Sequence, residues 1–231
     1  MESTSPQFPV DATTLLPPAP TLEESISEEL LTLLLKSREK FTEGITLFSD
    51  EKWELKKDKE EAKLWTKKAE EGGVKLFRRE AVIEKSAEVV DEWLSDQENV
   101  LERVANNNKL KHSDVVKKFN EDAKLIRREI KGNLLVTNRD MCLFWNRLNL
   151  TDGSIAHVMF SIEHEDIPKT KCVRAEAKIN LLILKPISDE SCMLSNIGKV
   201  DPKGSIPTAF VNKMLVKQYD DLLKLKKSVE A

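Results

Sequence analysis

The C-terminal segment constrains the fold more than any other part of the chain. A strand-like run leads into the corner Asp201-Pro202-Lys203-Gly204-Ser205-Ile206-Pro207, where Pro202 and Gly204 favour a turn and Pro207 suits the first turn of a helix. Apolar residues then recur at helical spacing, and lysines occupy the opposite face. This pattern predicts one uninterrupted amphipathic helix over residues 207–227. Joined by a rigid corner to the last strand of a sheet, such a helix would lie across that sheet and close a cavity like a lid.

Composition limits the class of protein. The chain has 231 residues, enough for one domain with a tail. Its 37 basic and 40 acidic residues nearly balance, which argues against general nucleic-acid binding. No run approaches the roughly 18 apolar residues of a membrane span, and the first residues have neither the basic start nor the apolar core of a signal peptide. We therefore expect a soluble, cytoplasmic protein.

The N-terminal region predicts a tail followed by a helix. Residues 1–20 contain five prolines among small polar residues, which is typical of a flexible tail. Thr21 and Glu24 form a capping-box pattern, and leucine and isoleucine residues follow at helical spacing. We expect this helix to pack against a sheet, although a partner-binding helix would have the same pattern. Residues 21–231 are expected to form one domain.

From Ala62 onwards the hydrophobic pattern changes to the period of two that is typical of strands. Gly72-Gly73 separates the first two strands and predicts a hairpin, and Ser86 caps a short helix after them. The predicted strands cover residues 62–68, 74–84, 112–119, 123–130, 135–149, 155–163, 171–184 and 191–200. A helix, many antiparallel strands and a long final helix make an α+β fold.

The residue types that carry enzyme chemistry are few and scattered. No glycine-rich phosphate loop is present, and the three histidines lack the spacing of metal ligands. His157 alternates with apolar neighbours and is expected to face solvent. No base is evident that would activate Cys142 or Cys172 as a nucleophile. We therefore expect no catalytic residue, no bound metal and no cofactor.

Three of the predicted strands each have one apolar face, which would make the concave wall of a half-barrel. The first strand places Met141, Leu143 and Trp145 on one face. The second places Ala156, Val158, Phe160 and Ile162 together, and the third Val173, Ala175, Ala177, Ile179 and Leu181. Composition alone favours an ordinary packed core behind this wall over an open cavity.

Three motifs resemble those of a known family. The corner at residues 201–207, followed by Val211-Asn212, is the first; Asn138-Arg139-Asp140-Met141-Cys142 is the second; and Cys172-Val173-Arg174-Ala175-Glu176 is the third. Their order and separations are similar to those of the START domain, the steroidogenic-acute-regulatory-related lipid transfer family. The resemblance runs from near Trp53 to the C-terminus. It implies a helix-grip fold, in which a strongly curved antiparallel sheet wraps around a long C-terminal helix.

The resemblance also implies a ligand cavity between the sheet and this helix. The residues expected to line it are Met141, Leu143, Trp145, Val158, Phe160, Ala175, Ala177, Leu194 and Asn196 in the sheet, and Met214, Leu215, Gln218 and Leu222 in the helix. Asn196 and Gln218 are the uncharged polar groups that would hydrogen-bond a lipid hydroxyl or ester, since a buried polar group needs a partner. An internal water would satisfy them equally well.

One departure from the family pattern concerns the ligand. Sterol-carrying members have an interior carboxylate–arginine pair, whose arginine follows the Arg-Asp motif by a few residues. The corresponding position here is Trp145, and the position of the acidic partner falls near Leu125. Loss of both members of a buried ion pair is tolerable, whereas loss of one is not. The departure therefore argues against sterol transport in its best-known form and leaves the identity of the lipid open.

The function implied by the resemblance is non-enzymatic. One lipid would be held in a hydrophobic tunnel and moved between membranes, with transient contact to the membrane surface. The helix over residues 207–227 and the loop at residues 131–137 would separate to admit the lipid. An alternative is a lipid-responsive regulatory or interaction module that binds lipid without transferring it. A weaker alternative is an enzyme that uses the same cavity.

Overall fold

A computed structural model shows an α+β fold and describes residues 12–21, 26–59, 61–68, 73–99, 110–132 and 136–231. The described helices are a short 3-10 helix (Ala12–Leu15), α1 (Glu28–Phe48), α2 (Ala87–Ser95), α3 (Thr208–Met214) and α4 (Lys217–Glu230). Among these described residues, no helix combines the length and the apolar character needed to cross a membrane.

The described strands form one sheet. They are β1 (Glu54–Lys59), β2 (Ala62–Lys67), β3 (Leu76–Ile83), β4 (Leu110–Asn120), β5 (Ala123–Ile130), β6 (Arg139–Asn149), β7 (Ile155–Ser161), β8 (Val173–Arg174), β9 (Glu176–Ser188) and β10 (Ser191–Asp201). Neighbours in the order β1-β2-β3-β10-β9-β7-β6-β5-β4 pair antiparallel, and β8 pairs in parallel with β6. The α+β prediction with a large antiparallel sheet is therefore confirmed.

Among the first three strands, the sequence predicts the hairpin of β2 and β3 but does not predict β1. The predicted hairpin is present as the β2–β3 pair, although its turn at residues 69–72 lies outside the described residues. The sequence pattern does not predict β1, because its side chains are mostly charged and exposed. β1 is an edge strand, and lysines on such a strand discourage pairing with another chain.

Helix α1 begins at Glu28 rather than directly after Thr21. The side chain of Ser27 accepts a hydrogen bond from the backbone N–H of Leu30 at 3.2 Å, and two acidic residues follow in the first turn. Glu24, the other half of the predicted capping box, lies outside the described residues. Ser27 is thus the N-cap, and the prediction of the helix start is wrong.

Helix α1 covers one face of the sheet, here called the outer face. Its fully buried side chains Phe41 and Ile45 pack in one cluster with Phe144 and Phe160 of the sheet. Gly44 allows the close approach, because a Cβ at that position would lie only 2.4 Å from the Cδ2 atom of a buried leucine on β9. The helix therefore lies directly on the central strands.

Part of the predicted tail belongs to this outer core. Ala12, Leu15 and Leu16 are buried in the α1 cluster, and the backbone N–H of Thr151 donates to the carbonyl of Leu15 at 3.0 Å. The prediction of a flexible tail over residues 1–20 is therefore wrong for these positions, because three apolar side chains provide enough burial to hold them. Residues 1–11 lie outside the described residues.

The opposite face of the sheet, here called the inner face, is covered by α2 and α4. Helix α4 buries Tyr219, Leu222 and Val229, and α2 buries Ala87 and Val90, all in one cluster. Helix α4 packs on β2 and β3, and α2 packs on β9 and β10. The last helix therefore lies across the sheet, as the helix-grip fold requires.

The predicted C-terminal helix is broken into two pieces. Helix α3 ends at Met214, and α4 begins at Lys217. The backbone N–H of Leu215 donates to the carbonyl three residues earlier, and that of Gln218 donates to the carbonyl of Leu215, so the chain tightens locally to 3-10 geometry. The prediction of one uninterrupted helix is wrong. The two pieces also differ in burial, since α3 has no buried residue.

A bulge in β9 exchanges the two faces of that strand. Lys178 is an extra residue, because the residues on either side of it pair with consecutive residues of β10. Ahead of the bulge, Ala175 and Ala177 pack on the inner face; beyond it, Ile179 and Leu181 join the outer cluster under α1. The prediction that these four residues share one face is wrong, because one inserted residue reverses the alternation.

The corner at residues 201–207 is attached to β6. Nη2 of Arg139 donates to the carbonyl of Lys203 at 3.3 Å. Lys203 and Gly204 have φ values of 50° and 70°, a left-handed conformation that glycine adopts easily and lysine rarely does. The ammonium of Lys203 lies 2.8 Å from the carboxylate of Glu176, which helps to hold that conformation. All three sequence motifs thus meet here.

We expect Ser27→Ala to lower the free energy of unfolding by about 1 kcal/mol, because the N-cap hydrogen bond is lost. Thr21→Ala should change it much less, since Thr21 is not helical. Urea unfolding of both variants and the wild type measures the difference. A larger loss for Thr21→Ala would instead place the helix start at the predicted capping box.

Candidate functional site: a cationic cavity under the last helix

A cavity of about 570 Å³ lies between α4 and the inner face of the sheet. Its apolar walls are formed by Trp93, Leu94, Leu110, Trp145, Met159, Leu182 and Leu225. Its uncharged amide and hydroxyl groups come from Gln97, Asn180, Asn196, Gln218 and Ser228. Its titratable side chains are Arg79, Arg128, His157, Asp221, Lys224 and Lys227.

Some of the predicted site residues line this cavity directly. They are Trp145 on β6, Asn196 on β10 and Gln218 on α4. Of the two predicted polar groups, Asn196 is almost fully buried, and its amide nitrogen donates to the side-chain oxygen of Asn180 at 2.7 Å. The structure therefore brings these side chains together, and their contact with a ligand stays a prediction.

The other predicted residues lie beside the cavity or away from it. Met141, Leu143, Ala175 and Ala177 pack in an inner-face cluster that also contains Trp145 and Met159. Leu194, Leu215 and Leu222 pack in the cluster beneath α4. Met214 is 36 % exposed on α3. These side chains support the walls, and the described lining does not include them.

The faces of β7 are opposite to those that the sequence predicts. Val158 and Phe160 belong to the outer cluster under α1, whereas His157 and Met159 face the cavity. The expectations that Val158 and Phe160 line the cavity and that His157 faces solvent are therefore wrong. Strand β7 is buried on both faces, so the polar residue His157 in its alternation does not mark a solvent side.

Arg79 on β3 projects into the cavity. Its Nε donates to the side-chain oxygen of Asn196 at 2.8 Å, and its Nη1 donates to the carbonyl of Gln218 at 3.0 Å. Burial lowers the pKa of the guanidinium to about 10, while the carboxylate of Asp221 opposes that shift. Arg79 therefore remains charged at neutral pH and links the sheet to α4 through neutral partners.

Arg128 on β5 is a second arginine of the same cavity. Its Nη2 donates to the side-chain oxygen of Gln97 at 2.6 Å, and its Nε donates to the hydroxyl of Ser113 at 3.4 Å. Its Nη1 lies 3.6 Å from the sulfur of Met159. Burial lowers the pKa of this guanidinium to about 10. No described carboxylate lies within salt-bridge distance of it.

Neither arginine is among the predicted site residues, although the sequence contains a signal for both. Arg79 lies between Phe77 and Ala81 on one face of β3, and Arg128 has an isoleucine two residues away on either side. A charged residue inside an apolar stripe is the exception that marks an interior site. Neither lies where the family pattern suggests a charge, since Trp145 occupies that position in the cavity wall.

A cluster of paired charges lies beside the cavity, and its member His157 lines the wall. Nε of Arg147 donates to both carboxylate oxygens of Asp91 at 2.9 and 2.8 Å, and Nε2 of His157 lies 3.0 Å from the same carboxylate. Burial raises the pKa of Asp91, but the contacts with His157 and Arg147 outweigh burial and lower this pKa to about 2. This cluster joins α2 to β6 and β7.

The two buried cysteines are not activated as nucleophiles. Burial raises the pKa of Cys142 and of Cys192 to about 11, so both thiols stay protonated at neutral pH. Neither contributes to the cavity lining. Within the described ranges, no group of three or more histidine, cysteine, aspartate and glutamate side chains is arranged to hold a metal ion.

We expect the stabilising effect of Asp91 to depend on pH. Its folded pKa of about 2 lies below the unfolded value of about 3.9, so its contribution is present above about pH 4 and is lost as the pH falls towards 2. Asp91→Asn should therefore remove up to about 2 kcal/mol of the acid-induced loss of stability. Urea unfolding at several pH values measures this loss. Asp122→Asn, which alters an exposed partner of Arg147, is the matched control and should leave it unchanged.

The fold has counterparts in known proteins. The family model of the START domain matches residues 40–227. Human STARD10 has a TM-score of 0.70 at 19 % identity, over 78 % of this chain and 74 % of that one. Human StAR-related lipid transfer protein 5 has a TM-score of 0.75 at 16 % identity, over 86 % and 97 %.

A STAR-related lipid transfer protein of Xanthomonas axonopodis has a TM-score of 0.68 at 21 % identity, over 78 % of this chain and all of that one. No curated protein sequence matches this chain significantly. At identities this low, the structural similarity shows a shared fold and nothing more. The prediction of a helix-grip fold is thereby confirmed. Because the family match covers most of its length, this chain belongs to the START domain family.

Proposed function

We propose that this protein binds one lipid in the cavity beneath α4 and transfers it between membranes without chemical change. The observation that carries the proposal is the cavity itself, about 570 Å³ and walled in part by Trp145, Leu182 and Leu225. This volume falls within the range of about 300–1,000 Å³ that is usual for ligand pockets. Family membership and the names of two similar structures, both lipid transfer proteins, support it. We assign the lipid-binding unit to residues 21–231.

The driving force is the burial of acyl chain. Each methylene removed from water is stabilised by roughly 0.8 kcal/mol, so a bound chain of some length escapes into water very slowly. A bilayer offers the same apolar surroundings as the cavity, so exchange at a membrane is nearly neutral in free energy. The barrier is then the opening of the protein, and no catalytic residue is needed.

Opening requires the C-terminal segment to leave the sheet. Helix α4 is held by Tyr219, Leu222 and Val229, whereas α3 buries no residue. The least packed element moves at the lowest cost. We therefore assign the movement to α3 instead of the whole of residues 207–227. Part of the loop at residues 131–137, the other element expected to move, lies outside the described residues.

Helix α3 also provides a surface suited to membrane contact. Phe210 is 48 % exposed, and Met214 and Val216 are more than a third exposed. Lys213 and Lys217 lie beside them in the chain. Apolar side chains that enter the acyl region, together with lysines attracted to anionic headgroups, are the usual components of an interfacial helix. Membrane contact would then occur at the element that moves.

We expect Leu225→Trp to reduce lipid uptake about tenfold, because the indole fills space that the lipid needs. Uptake is measured as fluorescent lipid that the purified protein extracts from vesicles. Leu223→Trp is the control, since Leu223 is a residue of α4 that packs against the apolar cluster beneath this helix and does not line the cavity. Equal uptake by both variants would mean that lipid binds elsewhere.

We expect the double variant Phe210→Glu with Met214→Glu to slow transfer between vesicles about tenfold or more, because the apolar membrane contact is lost. The amount of lipid bound at equilibrium should not change. Ile187→Glu, at an exposed apolar residue far from α3 in the sequence, is the control and should transfer normally. Wild-type protein that binds lipid but transfers none would favour the regulatory module instead.

A further inference from the structure

The cavity carries more positive charge than an apolar tunnel requires. Its described lining contains Arg79 and Arg128, which are partly buried, and Lys224 and Lys227, which are exposed, but a single side-chain carboxylate, that of Asp221. A charge shielded from water costs free energy unless an opposite charge compensates it. For the two arginines, the imbalance therefore indicates that the missing negative charge comes from the ligand.

Arg128 is the clearest case, because its side chain is oriented without being neutralised. An amide oxygen of Gln97 and the hydroxyl of Ser113 accept two of its hydrogen bonds, and a thioether sulfur lies against a third nitrogen. These are neutral acceptors, so they fix the position of the guanidinium and leave its charge intact. A planar guanidinium held in this way is suited to bind a carboxylate or phosphate through two parallel hydrogen bonds.

Arg79 adds to the same positive field from another strand. It too is held by neutral groups, Asn196 and the carbonyl of Gln218, and the carboxylate of Asp221 acts on it only through space. No described carboxylate lies within salt-bridge distance of Arg79. Its charge is therefore partly compensated, whereas that of Arg128 is not.

The lining is unfavourable for a headgroup that carries its own positive charge. Of the two tryptophans in the wall, Trp145 already has the ammonium of Lys124 at 5.1 Å from its ring centroid, which disfavours the stacking of a quaternary ammonium on that ring. A zwitterionic headgroup would also leave the excess positive charge of the cavity uncompensated. A headgroup that is anionic overall suits this lining better.

Resting on the proposed function, we infer that the cavity selects a lipid whose headgroup is anionic overall, a carboxylate or a phosphate monoester, and that Arg128 contacts this headgroup. Arg79 strengthens the attraction without being the principal contact. The acyl part of the lipid lies along the apolar wall formed by Trp145, Met159 and Leu182.

The test uses phosphatidylcholine vesicles that contain equal amounts of phosphatidic acid, oleic acid and diacylglycerol. The full chain is incubated with them, separated and analysed by mass spectrometry for bound lipid. The wild type should retain phosphatidic acid or oleate in preference to diacylglycerol and phosphatidylcholine. Arg128→Gln should reduce that preference about ten- to a hundredfold, the effect of one hydrogen-bonded charge. Arg79→Gln should reduce it less.

Two further variants serve as controls. Arg127→Gln changes the neighbouring arginine, which lies 3.8 Å from Glu129 and does not line the cavity, and should keep the preference. Arg128→Lys keeps the charge and should keep part of it, which preserves the test if Arg128→Gln fails to fold. Thermal unfolding of each variant shows whether it is folded.

Each outcome has one meaning. Wild-type protein that retains no lipid would contradict the proposed function as well as this inference. Retention of diacylglycerol or phosphatidylcholine in preference to the anionic lipids would overturn the inference and leave the proposed function standing. An unchanged preference in folded Arg128→Gln would also overturn it. Displacement of all bound lipid by inorganic phosphate alone would show that the arginine serves a soluble anion instead.

Discussion

The sheet has two apolar faces, and each must be covered by a different helix. Helix α1 covers the outer face through Phe41 and Ile45, and α2 and α4 cover the inner face. On the outer face the fit is close enough that Gly44 is needed. On the inner face α4 packs at β2 and β3 and leaves a cavity further along the sheet. The outer interface is filled by side chains, whereas the inner interface is not. The unfilled space on the inner face is what could hold a ligand.

The sequence predicts the fold class well and the cavity wall poorly, for a physical reason. Strand periodicity and the motifs around Arg139 and Gly204 are local, so the order of elements follows from them. Which face points inwards depends on long-range pairing. In β7 both faces are buried, and in β9 the extra residue Lys178 reverses the alternation. Neither fact is visible in a pattern of period two, and the predicted faces of both strands were therefore wrong.

The break before α4 illustrates the same limit. The helical spacing continues through Leu215 and Val216, so the sequence contains no proline or glycine that would announce an end. The structure nevertheless separates an exposed α3 from a buried α4. Helix α4 is buried and α3 is not because α4 packs against the sheet. The spacing of residues along the chain does not encode where the sheet lies.

The charged groups in and beside the cavity are of two kinds, and they have different consequences. Asp91 and Arg147 compensate each other and contribute to stability, whereas Arg79 and Arg128 carry positive charge that the described residues only partly balance. Replacing an uncompensated interior charge by an apolar residue often makes an empty protein more stable. Random mutation would therefore tend to erase these two arginines from a lineage unless the cargo maintains them. Overall sequence identity among distant relatives is too low to indicate which lipid each one binds. Under the proposed function, the residues at these two positions would differ between relatives that bind different lipids.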